Sequence, residues 1–265
     1  MTISRNGAFS APAMIATVIA AVAIVLAFVI APARAAEIDP DADRILRQMS
    51  DYLAGLASFS VATDASTEII LRNGQKVQLN ASGSGVFDRQ RGFRFRRQGA
   101  VADLELTYDG ANLTLYAGEL NGYHTIRIEG GNDAALDEVR AAFGIEAAGG
   151  VDLLYANPYE GLLYEVESGE YFGETWIGGV RAHHLAYRAA EVDWQLWVRA
   201  EGDPLPLKYV ITSKWMAGAP QFTVQVREWN TAATVSEADV TFTAPEGARA
   251  LEALKFDALG IALSE

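Results

Sequence analysis

From Phe59 onward the apolar residues recur at every second position, and glycine-containing turn signals keep interrupting them. Alternation of this kind is what a strand with one buried face requires. Residues 59 to 72 read as a strand, Asn73-Gly74 as a tight hairpin turn, and Gln75 to Asp88 as the return strand. Within that strand Gly83 and Gly85 predict a bulge or strong bend. After Arg91-Gly92, Phe93 and Phe95 fall on one face and Arg94 and Arg96 on the other. Leu104, Leu106 and Tyr108 form the next strand, followed after Asp109-Gly110 by Leu113 and Leu115, and then by Tyr123, Ile126 and Ile128. A second run follows Gly169: Tyr171 to Ile177, Val180 to Ala189, Val192 to Ala200, Leu207 to Ser213, Phe222 to Trp229 and a last strand Val240 to Thr243. Short turns between neighbours predict antiparallel pairing. The expectation is an α+β fold with a single curved antiparallel sheet of about ten or eleven strands, a half-open barrel, because a sheet of that width twists and curls.

Helical spacing appears in three places. Asp39-Pro40 offers an N-cap acceptor and a first-turn proline. Ile45, Met49, Tyr52, Leu53 and Leu56, widened by Leu46, then form one stripe on a helix from about residue 40 to 57. Asn132-Asp133 caps a helix through Phe143 carrying Leu136, Val139 and Arg140, and Val151 to Ala156 reads as a short second helix before Pro158. Tyr159 to Val166 fits either type, and a short helix is expected near residues 248 to 258. These helices are expected to cover the concave face of the sheet.

The N-terminus has a different character. Arg5 is the only charge before an apolar run from Ala11 to Ala31, and Ala33-Arg34-Ala35 supplies the small residues of a cleavage site. This reads as a secretory signal peptide over residues 1–35, leaving one domain over 36–265. The expected location is the periplasm; the alternative is an inner-membrane anchor through residues 11–31, which is long enough to span. The net charge of −13 becomes −15 without the leader, which argues against a nucleic-acid partner.

Chemistry-bearing motifs are scarce. With no cysteine there is no disulfide, thiolate metal site, Cys nucleophile or lipidated Cys. His183-His184 are adjacent on a strand, so they face opposite sides and do not readily share a metal. Gly83-Ser84-Gly85 lacks the strand-to-helix context of a nucleophile elbow, and the carboxylate pairs Asp103/Glu105, Glu165/Glu167 and Glu170/Glu174 are what chance supplies in so acidic a chain. No catalytic residue, metal or cofactor is expected, and the chain reads as a non-enzyme. Two features remain. The strands offer a wide apolar face, with Phe93, Phe95, Leu104, Leu106, Leu115, Trp194, Leu196, Tyr209, Ile211 and Phe222 as lining of an apolar-ligand cavity if the helices leave one open. Tyr108 and Val224 share that face. The arginine cluster Arg89, Arg91, Arg94, Arg96 and Arg97 is a local departure from acidity, in which Arg94 and Arg96 form a docking-patch candidate.

Several segments resemble a known family: Asp41-Ala42-Asp43-Arg44-Ile45-Leu46, Gly85-Val86-Phe87-Asp88 through Arg91-Gly92-Phe93-Arg94-Phe95, Tyr108-Asp109-Gly110, Leu113-Thr114-Leu115-Tyr116, Gly202-Asp203-Pro204-Leu205-Pro206 and Phe242-Thr243-Ala244-Pro245-Glu246-Gly247-Ala248. In this order they resemble the DUF2092 family of predicted periplasmic proteins over most of residues 38 to 250. That family is similar to the lipoprotein carriers and receptors of the LolA/LolB and LppX type. The resemblance implies a half-open antiparallel barrel with helices as a lid over an apolar cavity, which in the carrier branch takes lipoprotein acyl chains. The chain departs from the receptor branch in having no lipidation Cys. The first functional expectation is therefore a periplasmic protein binding a lipid, a lipoprotein acyl chain or another apolar ligand, touching membranes only transiently unless the leader is retained. A filled-core interaction module, acting on an envelope protein through its surface, is the alternative, and an unrecognised hydrolase is the third.

Overall fold

The computed structural model describes residues 37–99, 103–147, 150–256 and 262–263. The leader expected over residues 1–35 lies outside the described residues. The described chain opens with a two-residue strand, β1 (Glu37–Ile38), and helix α1 (Pro40–Gly55). Asp39 caps α1 as its sequence predicts: Oδ1 accepts from the Asp41 and Ala42 amides at 2.7 and 3.3 Å. Ile45, Leu46, Met49 and Leu53 are buried, so the apolar stripe is the face that packs.

Six strands then run back and forth: β2 (Ser58–Ile70), β3 (Lys76–Asp88), β4 (Gly92–Gly99), β5 (Asp103–Tyr108), β6 (Asn112–Ala117) and β7 (Gly122–Arg127). The β2–β3 turn is a three-residue loop rather than a two-residue one. The Gly74 amide donates to the Leu71 carbonyl at 2.8 Å and Leu71 to Gln75 at 2.9 Å. Gly74 takes the left-handed conformation, φ 83°, that closes such a loop. Gly92 opens β4 with φ 123°, and a Cβ there would sit 1.9 Å from the Tyr108 carbonyl oxygen, so only glycine fits. After β7 come α2 (Asn132–Ala147), a 3-10 turn (Val151–Leu153) and α3 (Pro158–Leu163). The 3-10 turn and α3 replace the helix expected over Val151 to Ala156, because Asn157 caps the following segment through the Glu160 amide and Pro158 starts it.

The second run comprises β8 (Val166–Ile177), β9 (Val180–Ala189), β10 (Val192–Arg199), β11 (Pro206–Ser213) and β12 (Gln221–Asn230). β12 returns to pair with β2, which joins the runs into eleven consecutive antiparallel strands, β8 through β12 then β2 through β7. β1 and β13 (Arg249–Ala250) add short parallel edges beyond β8 and β7. The sheet does not close.

Two expectations near the C-terminus are corrected. Val240 to Thr243 is not a strand: Ser236 and Asp239 form a capping box that starts α4 (Glu237–Val240), and Phe242 packs on the rings of Tyr116 and Tyr123. Over residues 248–256 the chain forms β13 and a strand at Lys255–Phe256, paired with Ala262–Leu263, instead of a helix.

Most of the apolar interior lies on the face of the sheet where the helices pack and forms two clusters, while a smaller third one gathers Ala182, Trp197, Leu207 and Val210. Under α1 and α3, Leu185, Tyr187, Trp194, Leu196, Tyr209 and Ile211 form a continuous core. Under α2, Phe59, Phe87, Phe93, Tyr108 and Leu113 form another with Leu136 and Val139. Arg89 ties the two together. Its guanidinium donates to the carbonyls of Leu53 and Leu56 at the end of α1, at 2.8 and 3.2 Å, and to those of Leu154 and Tyr155, both at 3.3 Å. Carbonyls at a helix end lack intrahelical donors, and the guanidinium supplies them there, sharing the Leu53 carbonyl with the Leu56 amide.

Candidate functional site

An open space of about 250 Å³ lies between the sheet and the segment that follows α2. Its wall includes Leu115 of β6 and Phe222 of β12, with β5, β4, β3 and β2 between them in the sheet. A flat sheet would hold strands five places apart about 24 Å from each other. Their convergence on one space means the sheet curls around it.

The vacancy follows from which side chains the alternation turns inward. On β2 the inward positions are Phe59, Val61, Thr63 and Ala65; on β3 they are Phe87, Gly85, Gly83 and Ala81. Beyond Phe59 and Phe87 the inward side chains are therefore small on both strands. Gly83 and Gly85 cause no bulge, since the β2–β3 and β3–β4 registers run unbroken through them. Instead, a Cβ at Gly85 would lie 2.1 Å from the Phe95 ring and one at Gly83 2.4 Å from Thr63 Oγ1. The absent side chains are what let neighbouring groups lie across β3. At the other end stacked rings close the space: Phe59 on Phe87 at 5.2 Å, Phe87 on Phe93 at 6.1 Å, and Phe93 against Tyr108 at 5.6 Å. The helical side contributes Val139, Val151, Leu153 and Leu154. Arg140 ion-pairs with Asp152 at 3.0 Å, and Tyr155 donates to Asp137 at 2.8 Å, which fixes this segment against α2. Burial and the neighbouring Asp137 push the Tyr155 phenol up to about 12, so it stays a donor.

Of the ten residues expected to line a cavity, Phe95, Leu104, Leu106, Leu115 and Phe222 do so. Val224 is there as well. Phe93 does not; it belongs to the aromatic floor. Trp194, Leu196, Tyr209 and Ile211 also lie elsewhere, in the core beneath α1. The physical reason is the amphipathic strength of α1, whose stripe fills that half of the inner face. Trp194 is buried and stacked on Tyr187 at 4.1 Å, so its ring is taken up by core packing. The β2 wall residues Val61, Thr63 and Ala65 went unassigned from sequence, although the phase set by Phe59 marks them.

The arginine cluster separates into different tasks. Arg89 is the clamp already described, and Arg91 pairs with Asp88 at 3.0 Å across the β3–β4 turn. Arg94 and Arg96 make their ion pairs on the outer face as the alternation predicts, so neither is free, and Arg96 also borders the cavity. Arg94, 31% exposed, lies 3.5 Å from Glu105 and donates to the Thr241 carbonyl; Arg96, 46% exposed, faces Asp103 at 3.5 Å. The residues after α4 thus cover part of the docking-patch candidate. Arg97 has the phase of Phe93 and Phe95, and it lines the cavity.

His183 and His184 lie on opposite faces. His183 contacts the Tyr171 hydroxyl at 2.9 Å, whereas His184 meets Gln195 at 2.9 Å and stacks on Trp197. Burial holds His183 below the usual imidazole range. Among the described residues no group of three or more His, Cys, Asp or Glu is placed to hold a metal ion. Among them, too, no helix is long and apolar enough to cross a membrane.

A family model described as "Predicted periplasmic protein (DUF2092)" matches residues 42–254. No curated protein matches the chain significantly. Similar solved structures include an uncharacterized conserved protein from Thermus thermophilus, with 14% identity and a TM-score of 0.47, over 80% of this chain and 98% of that one. The Mycobacterium tuberculosis lipoprotein LppX is 16% identical with a TM-score of 0.42, over 75% of this chain and 100% of that one. A LolA superfamily protein from Nitrosomonas europaea is 10% identical with a TM-score of 0.37, over 76% and 97%.

Proposed function

The chain belongs to the DUF2092 family of predicted periplasmic proteins, and from that premise we propose that it is a non-enzymatic periplasmic protein that holds an acyl chain or similar apolar ligand in the half-barrel. Residues 1–35 act as the export signal in this reading. The observation that carries it is the cavity itself, walled by Phe95, Leu104, Leu106, Leu115, Phe222 and Val224. At about 250 Å³ it exceeds the ~150 Å³ void that takes up benzene and stays just below the ~300 Å³ of the smaller ligand pockets. That is room for one chain; several chains on one lipid anchor would require the wall after α2 to move. Each methylene transferred from water contributes about 0.8 kcal/mol before the costs of association. A filled-core interaction module is disfavoured by the same vacancy.

Ala65 supplies the test. It sits on the wall at the end far from the aromatic floor, so Ala65→Phe places a ring in the vacancy without touching that floor. Protein isolated from the periplasm is extracted with organic solvent and the extract analysed by mass spectrometry. Wild type is expected to yield a stoichiometric lipid and Ala65→Phe at most about a tenth as much, the loss of roughly 1.4 kcal/mol or more in binding. An equal load in both proteins would rule the cavity out as the binding site.

A further inference from the structure

Arg97 is a part of the cavity wall that a purely apolar ligand leaves unexplained. In the β4 ladder it stands opposite Gly83 of β3 and Leu104 of β5. Its side chain crosses β3 and brings Nη2 to 3.4 Å from Thr67 Oγ1 on β2, a long contact for a cationic donor. Ala81 and Gly83, the inward residues of β3 beneath that path, are small enough to allow it. Nε is buried with no hydrogen-bond partner. Among the described residues no carboxylate forms an ion pair with Arg97, whereas Arg91, Arg94 and Arg96 each have one. Burial lowers its pKa, yet a guanidinium remains charged throughout the physiological range.

A charge withdrawn from water without a partner is a standing cost to the fold. It is relieved if the space it faces receives an anion. The order of side chains along β4 gives the direction: Phe93 in the floor, Phe95 in the wall, then Arg97, about 13 Å beyond the floor at 3.3 Å per residue. The wall is apolar at one end and carries a cation at the other.

We propose that the cavity takes a single-chain amphiphile with an anionic head, its carboxylate or phosphate paired with Arg97 and its chain directed past Phe95, Leu104 and Leu106 toward the aromatic floor. This rests on the acyl-chain reading above and names its ligand class. The guanidinium offers a carboxylate or phosphate two parallel N–H donors, a geometry that a lysine lacks. Thr63 and Thr67 set hydroxyls beside the same end.

The test uses the full chain and three ligands with one tail: dodecanoate, dodecyl phosphate and dodecanol, with binding followed by tryptophan fluorescence, since Trp229 borders the cavity. At least one anion is expected to bind about tenfold or more tightly than dodecanol, the scale of a charge-assisted pair. Whichever anion gains more identifies the head. Arg97→Met is expected to erase that gap by bringing the anion's affinity down to that of dodecanol, with a urea midpoint no lower than wild type because an uncompensated charge is removed. Arg97→Gln gives the same readout should methionine disturb the wall. Equal affinity for alcohol and anions in wild type, or a gap that survives both substitutions, would overturn the proposal while leaving the acyl-chain reading intact. Displacement of dodecanoate by inorganic phosphate at equal concentration would overturn it too, by showing a site for the free ion. If none of the three ligands binds, the acyl-chain reading fails and takes this proposal with it.

Discussion

The two halves of the inner face are built on the same sheet and the same alternation, yet one is filled and the other is not. In β9 to β11 the inward positions carry Leu185, Tyr187, Trp194, Leu196, Tyr209 and Ile211, and α1 lays Ile45, Leu46, Met49 and Leu53 over them. In β2 to β5 the inward positions include Val61, Thr63, Ala65, Gly83 and Arg97, and no comparable stripe descends onto them. A sheet turns half its residues inward whatever they are. Whether it makes a core or a container depends on the volume at those positions and on what the covering helix brings.

This difference predicts unequal costs for the same truncation. Leu196→Ala deletes a fully buried side chain in a packed region and is expected to cost about 2–5 kcal/mol. Leu104→Ala, at a wall where space already exists, creates little new void and should cost nearer 1 kcal/mol, mostly lost burial. Urea unfolding of the two variants decides the matter. Equal losses would mean that the cavity half is as tightly packed as the other and that the contrast drawn between them is false.

A smaller effect is expected at the seam. Arg89 bonds carbonyls at the end of α1 and carbonyls after the 3-10 turn, so it holds the cover of the filled half to the cover of the open half. Arg89→Met is expected to cost about 2 kcal/mol, the range for hydrogen bonds to a charged group, and to speed amide exchange at Leu154 and Tyr155 as well as at the end of α1. Exchange that rises on one side alone would show that Arg89 serves one half and does not join the two.

Much of the filled half could be read from the sequence. Asp39-Pro40 and the spacing from Ile45 to Leu53 determine α1, and the glycine turns delimit the strands closely enough that the expected ten or eleven meet the eleven antiparallel strands observed. The open half was harder to read for a physical reason. A vacancy is a difference between two volumes supplied by strands far apart in the chain, and local periodicity measures neither. Gly83 and Gly85 suggest a bent strand when their role is to leave space above a straight ladder. Arg97 shows a separate kind of miss. Its phase is fixed by Phe93 and Phe95, but grouping it with four neighbouring arginines hides that it points the other way. Near the C-terminus Val240 to Thr243 reads as a strand, whereas the capping box of Ser236 and Asp239 starts a helix at Glu237.

The mildest perturbation is acid, and it should act on the open half first. The Asp88 carboxyl is buried, which alone would raise its pKa. Hydrogen bonds from the Gln90 and Arg91 amides, at 2.9 and 2.8 Å, and the Arg91 guanidinium outweigh this and hold it below the usual range. Asp109 at the β5–β6 turn is half-buried, and against that partial burial it is likewise held low by the Asn112 and Ala111 amides and the Asn112 side chain. A carboxyl with a depressed folded pKa stabilises the fold fully above its unfolded value near 4, and that contribution disappears as pH falls through the folded value. Both turns belong to β3 through β6, whereas β9 to β11 are held on the inner face by the apolar packing of Leu185, Trp194, Leu196, Tyr209 and Ile211, which does not titrate in this range. Below about pH 4, amides of β4 to β6 are therefore expected to lose exchange protection before those of β9 to β11. Asp88→Asn should shrink this lead by lowering protection in β4 at neutral pH and flattening its decline in acid. If protection falls at the same rate across all eleven strands, these turns are not local anchors of the open half and acid acts on the sheet as a whole.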